Sequence, residues 1–168
     1  MSNRDTPGVI APPPLIYLGF LLVGWGLTEL GARPEVVEAG FGRLAAGFEL
    51  ELAVRRGVAL TLIVFGLLLD GMSAGLFRRR ATAVEPWKPS TVLIIEGPYR
   101  FSRNPIYLGF AITYAGLAIA MDSWVALILL VPCLWVVDRF VIQREERYLA
   151  AKFGAAYDAY RQTVRRWL

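Results

Sequence analysis

Residues 97–109 read Gly97-Pro98-Tyr99-Arg100-Phe101-Ser102-Arg103-Asn104-Pro105-Ile106-Tyr107-Leu108-Gly109. This stretch places arginines and tyrosines directly before a long apolar segment, and its Gly-Pro and Asn-Pro pairs are typical of turns. Arginine and tyrosine are common at the boundary between a bilayer and water, where they flank membrane-spanning helices. The stretch therefore predicts a membrane boundary at which polar groups are concentrated.

The composition of the whole chain agrees with this prediction. Hydrophobic residues make up 56% of the chain and the mean hydropathy is +0.48, whereas soluble domains have roughly 45–50% apolar residues. A helix needs about 17–25 apolar residues to cross a bilayer. The candidate spans are 9–28, 57–77, 105–121 and 123–142. We predict an all-α polytopic membrane protein with about four transmembrane helices.

The distribution of charge predicts the orientation of these helices. Six of the 18 lysines and arginines lie between residues 78 and 103, and six more lie between 144 and 166. The loop 29–56 has four arginines balanced by five glutamates. Because positive residues collect on the cytoplasmic side, we expect the middle loop, the tail and both termini inside. The net charge of +4 reflects this orientation, so we expect membrane lipids as partners and no nucleic acid.

Other segments complete the predicted architecture. Only Arg4 precedes the first apolar segment and prolines interrupt its start, so we interpret this segment as a retained helix. Apolar residues recur at helical spacing over 41–52, which predicts an interfacial helix. Little more than Asp122 and Ser123 separates the last two spans, which predicts a tight antiparallel hairpin. The charged, aromatic residues after 142 predict a cytoplasmic helical tail. We interpret 1–168 as one domain, with substrate-side helices in 1–81 and a cofactor-binding core in 82–168.

Two residue counts exclude several kinds of chemistry. The chain has no histidine, and its single cysteine, Cys133, lies inside an apolar segment. An intrachain disulfide is therefore impossible, and so are a catalytic triad with histidine and a metal centre built from histidines or several cysteines. We expect no metal site.

The predicted hairpin brings two polar clusters to one membrane face. Arg100 and Arg103 precede the third span, and Glu145 and Glu146 follow the fourth. Guanidinium groups bind carboxylates or phosphates, carboxylates bind an ammonium or ribose hydroxyls, and tyrosine rings contact cations or stack on bases. A ligand with a carboxylate, an amine, a ribose and a sulfonium would engage all of these groups. S-adenosylmethionine is such a molecule.

The motifs of the second half resemble the isoprenylcysteine carboxyl methyltransferase and phospholipid methyltransferase superfamily of integral membrane enzymes. The resemblance covers about residues 82–168 and is carried by 97–109, Glu145-Glu146-Arg147-Tyr148-Leu149, Phe153-Gly154, Tyr157, Tyr160 and Arg165-Arg166-Trp167. It implies that S-adenosylmethionine binds between hairpin and tail, in contact with Arg103, Asn104, Tyr107, Leu108, Glu145 and Glu146. It also implies a prokaryotic cytoplasmic membrane and a lipophilic substrate that enters from the bilayer.

We therefore predict a methyltransferase that uses S-adenosylmethionine. Its predicted cofactor site comprises Tyr99, Arg100, Arg103, Asn104, Tyr107, Leu108, Glu145 and Glu146, of which Arg103, Glu145 and Glu146 are the catalytic candidates. The substrate candidates are Asp70, Asp138, Tyr157 and Tyr160. An acid inside an apolar segment is costly, so Asp70 is either a pocket residue or a helix-packing partner. Asn104 departs from the commonest family pattern, which has histidine there, and asparagine cannot titrate near neutral pH.

The methyl acceptor is not identified by any motif. A carboxylate or thiolate needs almost no base, whereas an amine needs one, and without histidine the candidates are Glu145, Glu146, Asp70 or a tyrosine. We therefore favour an isoprenylcysteine-like carboxylate or a thiol. A phospholipid amine N-methyltransferase, an NADPH-dependent membrane reductase and a non-catalytic membrane scaffold stay open, as does the oligomeric state. A purely structural interpretation also stays open, in which Arg100 and Arg103 are topology anchors and Glu145-Glu146 is a solvated helix surface.

Overall fold

The computed structural model describes residues 6–9, 11–37, 40, 47–48, 50–85 and 87–168, and the regular elements in these ranges are helical. The helices are α1 (Pro13–Gly31), α2 (Pro34–Val36), α3 (Leu52–Arg79), a 3-10 turn (Gly97–Arg100), α4 (Pro105–Ala120), α5 (Trp124–Val137), a π segment (Asp138–Ile142), α6 (Gln143–Phe153) and α7 (Ala155–Thr163). The interfacial helix predicted over 41–52 lies mostly outside the described residues.

Within the described ranges, three helices are long and apolar enough to cross a membrane. They are Pro13–Gly31, Leu52–Arg79 and the continuous helix Trp124–Phe153, which combines α5, the π segment and α6. The apolar helix α4 is shorter, with 16 residues. On α3, large apolar side chains are exposed, as expected for a helix that faces lipid: Leu60, Phe65, Leu67, Leu68 and Met72. The all-α architecture is confirmed, whereas the number of crossings and the position of the tail stay predictions.

The predicted hairpin is present between α4 and α5. Pro105 occupies the first turn of α4, where its fixed φ and missing N–H are compatible with a helix start. The connection is short because Asp122 adopts a left-handed conformation with φ of +56°. Ser123 then caps α5, since its hydroxyl accepts a hydrogen bond from the amide of Ala126 at 3.0 Å.

Glycines bring α3 and α4 into close contact. A Cβ atom on Gly66 would clash with the Thr113 hydroxyl and would lie 2.6 Å from the carbonyl oxygen of Gly109. A Cβ atom on Gly116 would lie 2.8 Å from a side-chain carbon of Ile63. Small residues allow helix backbones to approach in this way, and such contacts are a main source of stability between membrane helices.

Helix α1 packs against the hairpin and completes the core. The Tyr17 hydroxyl donates a hydrogen bond to the carbonyl oxygen of Tyr107 at 2.9 Å. At the other end of α1, the hydroxyls of Thr28 and Ser123 are 2.6 Å apart. Buried side chains of α1, α4 and α5 form one continuous cluster between these two contacts. The core thus fixes the hairpin at both ends, including the end at which the polar motifs meet.

Replacing Asp122 with alanine should destabilise the fold. Its carboxylate accepts a hydrogen bond from the amide of Phe48 at 2.8 Å and forms an ion pair with Arg55. Because the carboxylate is partly exposed, we expect a loss of about 1–2 kcal/mol in the free energy of unfolding. Thermal unfolding in detergent measures this loss. The exposed Glu35 on α2 provides a control, and equal destabilisation by Glu35→Ala would contradict the assignment.

Candidate functional site

The polar clusters at the start of α4 and in the first turn of α6 meet at one end of the hairpin. The Tyr107 hydroxyl donates a hydrogen bond of 2.6 Å to Oε1 of Glu145. Nη2 of Arg103 lies 2.9 Å from Oε1 of Glu146. This is the juxtaposition that the sequence predicts from an antiparallel hairpin.

The π segment Asp138–Ile142 sets the direction in which both glutamates point. A π-bulge inserts about one extra residue into an α-helix, and each residue of a helix rotates the chain by about 100°. The segment therefore turns α6 about its axis relative to α5. With this register, Glu145 and Glu146 both line one cavity. Bulges of this kind occur frequently at functional sites.

The cavity has a volume of about 240 Å³ and is lined by residues of α3, α4, α6 and α7, of the 3-10 turn and the connection that precedes it, and of the start of α1. One part of its wall is apolar and includes Phe77, Val92, Ile94, Ile106 and Phe110. The rest of the wall contains eight of the residues predicted from the sequence: Tyr99, Arg103, Asn104, Tyr107, Glu145, Glu146, Tyr157 and Tyr160. The wall of this one cavity therefore has a polar part and an apolar part.

Two residues predicted to bind the cofactor do not line this cavity. Arg100 is exposed, because the 3-10 turn directs Tyr99 into the protein and the following side chain outward. Leu108 is half-buried on α4, because it follows Tyr107 on the helix and therefore projects from a neighbouring face.

Two predicted substrate residues also lie apart from the cavity wall. Asp70 faces Gly109 at the contact between α3 and α4, and its Oδ1 is buried without a hydrogen-bond partner in the described part of the chain. Asp70 therefore lies between two packed helices. Asp138 lies beside Gln143, whose amide nitrogen donates to its Oδ2 at 3.0 Å, and beside Arg166.

Residues 164–168, here called the strap, hold the start of α4 through backbone hydrogen bonds. The amide of Arg103 donates to the carbonyl oxygen of Arg165 at 3.0 Å. The carbonyl oxygen of Arg166 accepts from Nδ2 of Asn104 at 3.0 Å and from the hydroxyl of Ser102 at 3.2 Å. The strap is therefore part of the structure that surrounds the cavity.

Arg166 is a site residue that the sequence analysis did not identify. Its guanidinium contacts both carboxylate oxygens of Glu146, at 3.1 and 2.6 Å, and Nη1 lies 3.3 Å from the carboxylate of Asp138. The hydrogen bond to Glu146 is the main cause of the raised pKa of Arg166. In the sequence, Arg165-Arg166-Trp167 contributes to the family resemblance, but no local signal distinguishes one arginine from the other.

The charges around the cavity are unevenly compensated. Glu146 is paired with both Arg103 and Arg166. Among the described residues, Glu145 has one hydrogen bond, from Tyr107, and no cationic partner. Asn104 donates through Nδ2 to the carbonyl oxygen of Arg166, and its side-chain oxygen accepts no hydrogen bond from the described residues. The polar wall thus presents hydrogen-bond acceptors and one uncompensated carboxylate.

The tyrosines of the tail contribute neutral aromatic surface. The Tyr160 hydroxyl donates to the carbonyl oxygen of Tyr99 at 2.7 Å, which fixes the 3-10 turn against α7. Burial raises the pKa of Tyr157 to about 12 and also raises the pKa values of Tyr99 and Tyr160. These phenols therefore stay protonated near neutral pH and do not serve as bases.

Comparisons with known proteins point to one kind of enzyme. The family model described as phospholipid methyltransferase matches residues 54–156. The chain is 34% identical over 73 residues to the protein-S-isoprenylcysteine O-methyltransferase of Schizosaccharomyces pombe, which covers 44% of this chain and 31% of the yeast protein. The chain therefore matches about a third of the length of that relative. An uncharacterized protein of Haemophilus influenzae is 46% identical over 46 residues, covering 27% of this chain and 68% of that protein. No solved structure matches the chain significantly.

Proposed function

Because this chain belongs to the phospholipid methyltransferase family and is a membrane methyltransferase, we propose that it transfers a methyl group from S-adenosylmethionine to a lipophilic acceptor. The reaction takes place in the cavity between the hairpin and the tail. We propose a prokaryotic cytoplasmic membrane, as the family resemblance implies. We place the cavity at its cytoplasmic face, because 12 of the 18 lysines and arginines lie in 78–103 and 144–166.

The observation that carries this proposal is the position of Glu145. An uncompensated carboxylate lies in a cavity with tyrosine rings, and it is held by the hydroxyl of Tyr107 at 2.6 Å. A carboxylate in this setting attracts the ammonium group or the ribose hydroxyls of S-adenosylmethionine, and aromatic faces attract its cationic sulfonium. The donor set therefore fits the cofactor.

When bound, S-adenosylmethionine supplies a methyl group activated by a sulfonium. The protein residues contribute position, since methyl transfer requires the reacting atoms at about 3–3.5 Å from one another. Tyr107 fixes Glu145, and Asn104 presents its amide oxygen. The apolar wall with Phe77 and Phe110 excludes water and accommodates a lipophilic chain.

Two acceptor classes have support from different observations. An isoprenylcysteine-like carboxylate is supported by the name of the Schizosaccharomyces pombe relative, and a carboxylate or a thiol is supported by the lack of histidine. A lipid amine is supported by the family description and by the charges of the cavity. The guanidinium of Arg103 already contacts Glu146 and the carbonyl oxygen of Arg161. The hydrogen-bond acceptors of the polar wall are therefore better suited to a cationic headgroup than to a carboxylate.

A methyl-transfer assay with a panel of acceptors tests the function. The purified protein in detergent is incubated with S-adenosylmethionine labelled in its methyl group and with an S-prenylated cysteine analogue, a lipophilic thiol or phosphatidylethanolamine. We expect label to enter one of these classes in the extracted lipid phase. Binding of NADPH without binding of S-adenosylmethionine would favour a reductase. Binding of neither cofactor would favour a scaffold.

Replacing Tyr107 with phenylalanine should weaken cofactor binding without disrupting the fold. The change removes the hydroxyl that holds Glu145 and keeps the ring, so we expect a loss of about 0.5–1.5 kcal/mol, or about 2- to 12-fold in affinity. Calorimetric titration with S-adenosylhomocysteine measures the effect. Tyr114→Phe is a matched control on the same helix, because its hydroxyl bonds to the carbonyl oxygen of Ala126 outside the cavity. Equal affinity in the two variants would contradict the role of Tyr107.

A further inference from the structure

Arg166 connects two carboxylates that lie on either side of the π segment. Asp138 is the first residue of that segment, and Glu146 lies in the first turn of α6, just after the segment ends. Nη1 of Arg166 is 3.3 Å from Asp138, whereas Nε and Nη2 reach the two oxygens of Glu146 at 3.1 and 2.6 Å. One guanidinium thus contacts an acid at the start of the π segment and another just after its end.

We propose that Arg166 is a positioning residue: by bridging Asp138 and Glu146, it holds the π register that directs Glu145 into the cofactor cavity. The inference rests on the proposed function, because the position of Glu145 matters through the ligand that it binds. It assigns to the strap a role in cofactor binding although Arg166 does not itself line the cavity.

Arg166 offsets two unfavourable contributions to the free energy of folding: the π segment itself and the repulsion among neighbouring carboxylates. π segments are rare and locally less favourable than α-helix, so they persist where the surroundings stabilise them. Asp138, Glu145 and Glu146 lie close together on one helix, and Arg166 compensates two of the three. Without it, repulsion among the carboxylates increases. A return to α-helical register would then rotate Glu145 by about 100° about the helix axis.

The fork of the arginine is needed for this bridge. A guanidinium donates in several fixed directions and can bind two carboxylates at once, whereas the ammonium of lysine is a compact point charge. The backbone amide of Arg103 and the side-chain hydroxyl of Ser102 donate hydrogen bonds to carbonyl oxygens of the strap and hold it at the start of α4. The guanidinium is therefore presented to both acids from a fixed backbone.

The neighbouring arginine supplies a matched control. Arg165 lies on the same strap and carries the same charge, but its side chain is exposed and the structure gives it no side-chain hydrogen bond or ion pair within the described ranges. Arg165→Ala and Arg166→Ala therefore make equal changes in net charge and in side-chain size. A difference between them reports the bridge to Asp138 and Glu146.

The test is calorimetric titration of S-adenosylhomocysteine into the wild type and the variants, together with methyl-transfer kinetics. We expect Arg166→Ala to raise the Kd by about tenfold or more, by analogy with the 10- to 100-fold loss of metal affinity when a partner that orients a metal ligand is removed. Arg165→Ala should stay within about twofold of the wild type by the same reasoning. Arg166→Lys should also weaken binding, because one ammonium cannot bridge both acids. The KM for S-adenosylmethionine should rise while the KM for the acceptor does not.

The possible outcomes separate the two proposals. If the wild type itself does not bind S-adenosylhomocysteine, the proposed function is wrong. If the wild type binds and Arg166→Ala binds equally well, the positioning role is wrong. If Arg166→Ala does not fold, Arg166→Lys and Asp138→Asn decide, since each weakens the bridge while retaining most of the side chain. Unchanged affinity in both of these variants would overturn the inference.

Discussion

Replacing Glu145 with glutamine should weaken the binding of S-adenosylhomocysteine by about 10- to 150-fold. The glutamine keeps the shape of the side chain and removes its charge. Hydrogen bonds to charged groups contribute about 1.5–3 kcal/mol, and Glu145 is a carboxylate of the cavity wall without a cationic partner among the described residues. Calorimetric titration of the purified protein in detergent measures the change in Kd.

Two other glutamates provide comparisons for this variant. Glu29 is exposed in α1, next to Thr28, at the end of the bundle where the hairpin turns. Glu29→Gln should bind the ligand with wild-type affinity. Glu146→Gln should weaken both binding and stability, because it leaves Arg103 and Arg166 with less compensation. If Glu145→Gln binds as tightly as the wild type, the carboxylate does not contact the cofactor.

Replacing Gly66 with leucine should cause the largest loss of stability. A side chain at this position would enter the backbone of α4 near Gly109 and Thr113. Overpacking a well-packed core costs about 1–3 kcal/mol and occasionally more. We expect the upper end of this range, about 3 kcal/mol, because the obstacle is backbone that can move only if the two helices separate.

Gly71 is the matched control for this variant, because it lies on the same helix and a Cβ atom added there would have no neighbouring atom within 4 Å. Gly71→Leu should change the thermal midpoint little, since the added side chain would face lipid or detergent. Because α3 and α4 also border the cavity, Gly66→Leu should lower the affinity for S-adenosylhomocysteine as well. Equal thermal midpoints for the two leucine variants would contradict the close helix contact.

The sequence predicts the framework of the site because its signals are local. The proline at the start of α4 and the short connection at Asp122 and Ser123 each determine a helix boundary. Once these boundaries are known, an antiparallel hairpin must bring Tyr107 and Glu145 to the same end of the bundle. Motif order and segment length are therefore sufficient for this part of the prediction.

The remaining features depend on packing that no local pattern records. The π segment at 138–142 is one such feature, because its shifted hydrogen bonds leave no trace in the pattern of apolar residues along the sequence. The distinction between Arg165 and Arg166 is another, because it arises from where the strap lies against α6. The position of Asp70 is a third such feature. The rotation of α3 against Gly109 determines whether its carboxylate faces a cavity or a neighbouring helix.

The most direct test of the central claim is an experimental structure of the protein with S-adenosylhomocysteine bound. We expect the ligand in the cavity between the hairpin and the tail, with its ammonium or ribose hydroxyls on Glu145 and its sulfur directed toward the apolar wall that includes Phe77 and Phe110. A ligand bound elsewhere, or one that leaves Glu145 and Tyr107 without contact, would contradict the account.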